Sequence, residues 1–422
     1  MADKKSSLTP RSIVAAASGN VLEWYDFTVY GFLAPTLATL FFPSESKLAS
    51  LLSAFAVLAV GYAARPIGSV IFGHIGDRIG RKTALMISVL LMGGGSLAIA
   101  ALPTYEQIGV AAAILLVLIR IVQGISVAGE YTASGVLLVE QAQTGRRALT
   151  GAWVAFAMMW GCVLGSAVPA GFSSILSSEQ MSDWGWRLPF LLGAVVAVFS
   201  AILRTSLSET VMTKDAEEGI SPIWESLRDH LALIGQMVLL LIPTSVIYFV
   251  IYVYAVSYLS SEADFTSAAA LDITTANLVI MALFVPVCGL AADKFGLRPV
   301  FMAGAIGTLL LAWPCWWLMH RAETLPVFLG QFGLTLTSTA GWALSITALT
   351  RIAPSHLRCS VVALGYNICL AVFGGTTPMV ATYLVKRTGD DYAPVYYMIV
   401  ATLISIPVIL RLPKLIRNAE SG

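Results

Sequence analysis

Long apolar runs that recur along the whole chain restrict its fold more than any other feature. The first run, residues 13–42, contains no lysine or arginine, and about 20 apolar residues suffice for a helix to cross a membrane. On this criterion the chain divides into twelve predicted spans: 13–42, 48–73, 84–102, 108–139, 148–176, 186–204, 231–260, 271–290, 299–319, 325–349, 357–385 and 392–411.

The composition agrees with a protein that lies in a lipid bilayer. Hydrophobic residues make up 57% of the 422 residues and charged residues only 12%, about half the charged share of a soluble domain. The mean hydropathy is +0.81, and no compact soluble fold could bury that much apolar surface. The net charge of +1 gives no basic field for nucleic acid. We therefore predict an all-α integral membrane protein that does not bind nucleic acid.

One polar stretch divides the spans into two sets of six. We predict an N-terminal six-helix bundle at 1–204, a cytoplasmic connecting loop at 205–230 and a C-terminal six-helix bundle at 231–422. With the N-terminus inside, 18 of the 25 lysines and arginines fall on the cytoplasmic side and five on the external side. Since loops rich in these residues stay in the cytoplasm, both termini are predicted to be cytoplasmic.

A short loop motif occurs twice, 216 positions apart, after the second and the eighth span. Glycine, aspartate, a basic residue and glycine recur at the same offsets in 73–82 and 289–299. Such a repeat indicates two related halves that enclose a site near the membrane midplane, and its aspartate and arginine can bond to neighbouring helix ends. The charged residues of the two loops that could make such bonds are Asp77, Arg78, Arg81, Asp293 and Arg298.

Five ionisable residues fall within predicted spans of the first half. An ionisable group in the membrane costs at least about 2.5–3.5 kcal/mol, so each of them needs a partner or a function. The second half has none in mid-span, and the ionisable chemistry is therefore predicted to lie on one side of the cavity. The five residues are Glu23, Asp26, Arg65, Arg120 and Glu130.

The acidic residues of this set are the candidates for proton coupling. Glu23 and Asp26 are three positions apart and share a helical face, and two poorly hydrated carboxyl groups so close do not both ionise easily. All four histidines lie in loops or at span ends, so proton coupling would use Glu23, Asp26 or Glu130. Arg65 and Arg120 are predicted counter-charges. The alternative is that these ion pairs only join helices.

Candidate substrate ligands come from both halves. Tyrosine and tryptophan offer polar groups for a carboxylate and ring faces for a cation. Residues 374–378, two glycines, two threonines and a proline, predict a weak point in span 11. The predicted substrate-binding residues are Tyr30, Arg120, Tyr131, Tyr248, Tyr252, Trp342 and Asn367, with Arg65 as a charge-pair or substrate residue.

Several stretches together resemble one known group of proteins. They are residues 19–30, 65–68, 73–82, 120–131, 184–190 and 365–375. In these stretches the chain resembles the major facilitator superfamily and, within it, the metabolite–proton symporters, which include bacterial proline/betaine, α-ketoglutarate, citrate and shikimate permeases. The resemblance covers essentially the whole chain. It implies the major facilitator fold, a place for the five charged residues in the proton and substrate region, and the bacterial inner membrane. It also implies that the charged residues of the repeated loops form a cytoplasmic gate: Asp77, Arg78, Arg81, Asp293 and Arg298. Leu297 departs from the usual base of the second loop, which implies a weaker gate there.

The resemblance also implies an activity. We expect proton-coupled uptake of a small carboxylate-bearing metabolite by alternating access, the solute being an organic acid or a zwitterion such as proline or betaine. A facilitator or exchanger of organic acids without proton coupling is the alternative, and a transporter-like sensor is a third interpretation. No enzymatic activity, cofactor or metal site is predicted, since the sequence has no nucleotide loop, metal-spaced His/Cys set or nucleophile–base pair. We expect a monomer.

Overall fold

The regular structure is helical throughout the described part of the chain. The computed structural model describes residues 10–78, 81–205, 226, 228–261, 265–321 and 323–421. No strand occurs within these ranges. A helix satisfies its own backbone hydrogen bonds, as the hydrocarbon core of a membrane requires. The predicted connecting loop, 205–230, lies mostly outside the described residues.

The first half contains six spans, of which four are built from more than one helical piece. A short helix, Tyr105–Ile108, precedes span 4. The bounds are Pro10–Phe32 and Ala34–Phe41 (span 1), Lys47–Ala63 and Arg65–Arg78 (span 2), Arg81–Ala101 (span 3), Val110–Ser126 and Glu130–Gln141 (span 4), Arg147–Ile175 (span 5), and Ser178–Gln180, Met181–Gly185 and Arg187–Thr205 (span 6).

The second half repeats this number of spans. Spans 7 and 11 each contain a π-helical turn, and a 3₁₀ turn, Ser355–Leu357, precedes span 11. The bounds are Leu231–Tyr248, Phe249–Tyr254 and Ala255–Ser261 (span 7), Ser267–Phe295 (span 8), Leu297–Met319 (span 9), Thr324–Ile352 (span 10), Arg358–Cys369, Leu370–Gly374 and Thr377–Thr388 (span 11), and Ala393–Ser421 (span 12).

All twelve predicted spans coincide with helices of this structure. Among the described residues, nine helices are long and apolar enough to cross a membrane, or ten if the bent pair in span 6 counts as one. The other two are span 1, which is divided at Leu33, and span 3, whose apolar part at Met86–Ala101 is shorter. Several helices continue past the predicted ends, and span 12 reaches Ser421 instead of 411. Hydropathy detects only the part of a helix inside the hydrocarbon.

Interruptions of the helices lie where the candidate site residues lie. Span 2 breaks at Ala64, between Tyr62 and Arg65, and the following Pro66 cannot donate a backbone hydrogen bond. Span 4 breaks just before Glu130. In span 11 the π-helical turn ends at Gly374, at the weak point that the sequence predicts. π-helical turns often mark functional sites. The breaks therefore support the choice of these residues as site candidates.

Burial separates central from peripheral spans. Span 7 is buried over 89% of its apolar window, whereas span 9 is buried over only 33%. The outer surface carries exposed large apolar side chains, among them Val195, Phe199 and Leu310. Exposed apolar surface of this extent is typical of helices that face lipid. Span 7 therefore lies inside the bundle and contributes to its centre.

Contacts between the halves lie partly on the side of the chain ends. We call the side that holds Pro10 and Ser421 the terminal face and the opposite side the far face. At the terminal face Asp293 accepts hydrogen bonds from the backbone N–H groups of Ala148 (2.8 Å) and Leu149 (3.0 Å). These groups begin span 5, where a helix has unpaired N–H groups and a partial positive charge.

The other predicted gate residues are Arg298, Asp77, Arg78 and Arg81. Arg298 is exposed, and the side chains of Asp77, Arg78 and Arg81 lie outside the described residues. A second contact that joins the halves is the ion pair of Arg358 with Glu140, at 2.6 Å. A gate at this face stays a prediction.

The close approach of spans 2 and 4 generates a stability prediction. A methyl group at Gly124 would collide with the backbone carbonyl of Gly61, whereas a methyl group at Gly94 in span 3 would meet no atom within 4 Å. We expect Gly124→Ala to lower the free energy of unfolding by about 1–3 kcal/mol, as overpacking does. Gly94→Ala, the control, should leave stability equal or raise it, because alanine favours helices. Thermal unfolding of both variants in detergent measures this, and equal midpoints would contradict the packing described.

Candidate functional site

Asp26 is enclosed by hydrogen bonds from two other spans. Its carboxylate accepts bonds from the hydroxyl of Ser96 in span 3, from Arg120 Nη1 (3.0 Å) and from Gln123 Nε2 (2.9 Å) in span 4. Arg120 also lies over the ring of Tyr30, 4.1 Å from its centroid. These groups are fully buried. The Nε and Nη2 atoms of Arg120 have no hydrogen-bond partner among the described residues. Both oxygens of the Asp26 carboxylate are bonded, however, so this network joins spans 1, 3 and 4.

Glu23 forms a second ion pair, which is only half satisfied. Arg65 Nη1 lies 2.8 Å from Glu23 Oε1, and both side chains are buried. Glu23 Oε2 and the Nε and Nη2 atoms of Arg65 have no hydrogen-bond partner among the described residues. The guanidinium lies 4.5 Å from the ring centroids of both Phe27 and Tyr62. Since buried polar groups are normally paired, these atoms can still receive a ligand or a proton.

The sequence predicts that Glu23 and Asp26 form one cluster of carboxylates. In the structure each of them pairs with a different arginine. Residues three apart on a helix are separated by about 60° around its axis, which is enough for each to meet a different neighbouring helix. Glu23 therefore contacts Arg65 in span 2, and Asp26 contacts Arg120 in span 4. The two predicted counter-charges each serve one carboxylate.

Glu130 is the third acidic candidate and lies close to this region. It begins the second piece of span 4, is 8% exposed, and its charge acts on Glu23. The next residue, Tyr131, stacks on Tyr366 with ring centroids 4.6 Å apart. Its hydroxyl lies 3.2 Å from that of Ser345 in span 10. Tyr131 therefore bridges the two halves beside the acidic residues.

Five aromatic rings from both halves form what we call the aromatic centre: Trp24, Tyr62, Tyr248, Phe249 and Trp342. The centroid of Trp342 lies 5.5 Å from that of Trp24 and 5.3 Å from that of Tyr248. The rings are buried, and most meet edge to face. The indole N–H groups of Trp24 and Trp342 have no hydrogen-bond partner among the described residues. Unpaired polar atoms in an apolar, enclosed region are features of a ligand site.

The half-satisfied ion pair and the aromatic centre are contiguous. The guanidinium carbon of Arg65 lies 5.8 Å from the ring centroid of Trp24 and contacts Tyr62, which in turn meets Phe249 at 5.5 Å. Tyr248 is 6.3 Å from Trp24, and its buried hydroxyl has no hydrogen-bond partner among the described residues. An anion-binding group thus lies directly beside a set of ring faces.

Three other predicted ligands have their polar groups occupied elsewhere. The Tyr30 hydroxyl donates to the carbonyl of Ala54 (3.1 Å), and the Tyr252 hydroxyl lies 2.7 Å from that of Thr335. Asn367 donates across the halves to Ala128 O (2.7 Å) and to the Ser69 hydroxyl. The ring of Tyr252 still contacts Tyr248 at 5.0 Å. As substrate ligands these three stay predictions, and each would first have to release its present bond.

The structure adds residues that sequence reasoning missed. Tyr62 lies three positions before Arg65, so the spacing of helical neighbours could have pointed to it. Trp24 follows Glu23 directly, and adjacent residues on a helix do not face each other, so spacing gave no signal for Trp24. Gln123 lies three positions after Arg120 and bonds to it at 2.9 Å. Phe249, one of the span 7 aromatic residues that the sequence offers as candidates, joins the centre from the start of the π-helical turn.

Comparisons with known proteins agree with this architecture. Residues 12–230 match the family described as sugar (and other) transporter. The chain is 33% identical to the glycine betaine/proline/ectoine/pipecolic acid transporter OusA of Dickeya dadantii over 416 residues, covering 94% of this chain and 81% of that protein. It is 32% identical to the proline/betaine transporter of Escherichia coli K12, covering 94% and 82%.

Solved structures share the fold at lower identity. The proton:xylose symporter XylE, bound to a bromodeoxyglucose, superposes with a TM-score of 0.76 at 18% identity, covering 96% of this chain and 94% of that chain. The inward-open form of XylE from Escherichia coli gives a TM-score of 0.72 at 18% identity, covering 97% and 98%. At this identity the likeness shows the fold alone.

The different satisfaction of the two ion pairs predicts different effects of isosteric changes. Asp26→Asn should lower the free energy of unfolding by about 3–5 kcal/mol, because it leaves the buried Arg120 charge uncompensated. Glu23→Gln also leaves a buried arginine charge, that of Arg65, without a carboxylate. It should nevertheless cost less, since Glu23 accepts one bond and Asp26 accepts three. Thermal unfolding of the two variants in detergent compares them. A larger loss for Glu23→Gln would contradict the division into a fixed and a half-satisfied pair.

Proposed function

Since this chain belongs to the major facilitator superfamily, in its sugar (and other) transporter family, we propose that it is a proton-coupled symporter for a small zwitterion. It is a membrane transporter and not an enzyme. The proposed solute carries a carboxylate and a cationic nitrogen, as proline and glycine betaine do, and is taken up with protons. The proposed location is the bacterial inner membrane.

The observation that carries this proposal is the contact between the Glu23–Arg65 pair and the aromatic centre. Two nitrogen atoms of Arg65 are free of hydrogen bonds among the described residues, and a guanidinium binds a carboxylate with two parallel bonds. The rings of Trp24, Tyr248 and Trp342 lie within 5.3–6.3 Å of one another. A quaternary ammonium group binds to such rings by cation–π attraction.

The names of the relatives support the same solute class. The Dickeya dadantii protein is named for glycine betaine, proline, ectoine and pipecolic acid, and the Escherichia coli protein for proline and betaine. These solutes combine a carboxylate with a cationic nitrogen centre. An organic acid lacks that centre and would leave the aromatic rings without a role.

Proton coupling is assigned to Glu23. Protonation of its carboxyl group would end the charge attraction to Arg65, 2.8 Å away, and leave the arginine free to bind the carboxylate of the solute. Loss of the proton would restore the pair and displace the solute. Glu130, whose charge acts on Glu23, would take part in the exchange. Asp26, fully hydrogen-bonded to its neighbours, would keep its charge and hold the helices.

Alternating access would then follow from the contacts that close the terminal face. Two contacts join the halves there: the hydrogen bonds that Asp293 accepts from the first turn of span 5, and the ion pair of Arg358 with Glu140. Opening the terminal face requires both to break. The positive charge on this side predicts that it is cytoplasmic, so these bonds would hold the protein closed toward the cytoplasm.

Uptake into proteoliposomes under an imposed inward proton gradient tests this function. The labelled panel consists of glycine betaine, proline, α-ketoglutarate, citrate and shikimate, each with and without an uncoupler. We expect uphill accumulation of glycine betaine or proline, abolished by the uncoupler. Dimethylbutyrate, the isostere of betaine with carbon in place of nitrogen, should not compete. Equilibration that ignores the gradient, or accumulation of an organic acid alone, would contradict the proposal.

The role of Glu23 predicts a specific defect in Glu23→Gln. The variant should lose gradient-driven accumulation, because glutamine cannot exchange a proton, yet retain exchange of labelled for unlabelled solute. Glu106→Gln, an exposed site in the helix Tyr105–Ile108, is the matched control. If Glu23→Gln and Glu130→Gln each accumulated solute like the unaltered protein, the assignment of the proton to these residues would be wrong.

The cation–π contact predicts the effect of Trp342→Leu. Because a desolvated cation–π contact contributes about 2 kcal/mol, we expect the KM for glycine betaine to rise by about 30-fold, while Trp342→Phe should keep most of the affinity. Initial uptake rates over a range of concentrations give both values. An unchanged KM in Trp342→Leu would remove the aromatic centre from the binding site.

A further inference from the structure

A small cavity lies at the far face, apart from the aromatic centre. Its volume is about 70 Å³, and it is lined by Leu51 of span 2 and by residues of the second half. It therefore lies between the two halves. The second-half residues of its lining include Tyr254, Ser257, Tyr258, Lys386 and Asp391. We call it the far-face cavity.

The lining of the far-face cavity combines both signs of charge with aromatic rings. Lys386 and Asp391 are exposed, so the cavity reaches the surface. The rings of Tyr254 and Tyr258 are stacked with centroids 6.3 Å apart, and Trp316 holds the Asp391 segment through a 2.9 Å bond to its carbonyl. A cation, an anion and ring faces around one small space complement a solute that carries both charges.

Ser257 supplies an independent indication of a ligand. Its side chain is 2% exposed, and its hydroxyl has no hydrogen-bond partner among the described residues, although it lines the cavity. A buried hydroxyl without a partner costs free energy. Ser260, on the same helix, bonds instead to the carbonyl of Val256. The hydroxyl of Ser257 is therefore available to a molecule in the cavity.

The far-face cavity and the aromatic centre share one helix. Ser257 lies nine residues beyond Tyr248 in span 7, which corresponds to roughly 14 Å at a rise of about 1.5 Å per residue. Tyr254 and Tyr252 belong to the π-helical turn between the two places. The far-face cavity and the aromatic centre are therefore separated along span 7 by a distance that a small solute would cross on its way inward.

We propose that the far-face cavity is a weak binding site at which the transported zwitterion is captured before it reaches the aromatic centre. The class of solute rests on the proposed function. The carboxylate pairs with Lys386 and accepts a bond from Ser257, and the cationic nitrogen lies near Asp391 and the ring of Tyr258. The charges lie at an exposed rim, so binding is weak and decreases with salt.

Equilibrium binding of labelled glycine betaine to the purified full-length protein in nanodiscs tests this site. We expect two classes of binding. Lys386→Gln/Asp391→Asn and, separately, Ser257→Ala should weaken the weak class by about tenfold or more and leave the tight class in place. Trp342→Leu should weaken only the tight class. Lys47→Gln, at the exposed start of span 2, and Ser260→Ala are the matched controls.

The outcomes separate this proposal from the proposed function. A single class of binding, sensitive to Trp342→Leu, or a weak class unaffected by the Lys386, Asp391 and Ser257 changes, would overturn the far-face site and leave the proposed function intact. A weak class lost in those variants, together with no class sensitive to Trp342→Leu, would support the far-face site and contradict the aromatic centre. Absence of any betaine binding would overturn both.

Discussion

Two buried ion pairs that begin on one helix, Glu23–Arg65 and Asp26–Arg120, are the constraint on which the rest of the structure depends. Each charge would be costly in hydrocarbon without a partner. Both carboxylate oxygens of Asp26 are hydrogen-bonded, by Ser96, Arg120 and Gln123. Glu23 Oε2 has no partner among the described residues, and both arginines keep their Nε and Nη2 atoms unpaired there. The first pair is therefore suited to hold helices and the second to exchange partners.

The surroundings of the Glu23 pair agree with this division. Span 2 breaks next to Arg65, span 4 breaks before Glu130, and spans 7 and 11 contain π-helical turns. The Asp26 pair joins continuous pieces of spans 1, 3 and 4. Under the proposed function, continuous helices around one pair and interrupted helices around the other would let the two halves move about the site without separating the helices of either half.

Much of the fold was predictable, because hydropathy reports directly on the membrane. All twelve spans and the weak point of span 11 follow from apolar runs, glycine and proline. The identity of the charged residues was equally visible, but their pairing was not, since residues 23 and 26 diverge by only about 60° around the helix and the neighbouring helices decide the partners. Trp24 and Tyr62 were hidden among many aromatic residues, most of which only pack. The loop repeat predicts that Asp293 bonds to a neighbouring helix end, and its bonds to the start of span 5 agree with this. Which helix it would contact was not predictable, because that depends on the tertiary structure.

The central claim, that a proton accompanies the solute, is tested most directly by solute-driven proton movement. De-energised proteoliposomes contain a pH-sensitive dye, with the membrane potential clamped by valinomycin and equal potassium on both sides. A pulse of glycine betaine outside should acidify the interior, at a rate that follows the uptake of the labelled solute. Uptake of labelled glycine betaine without any change in internal pH would contradict the account and reduce the Glu23–Arg65 pair to a structural role.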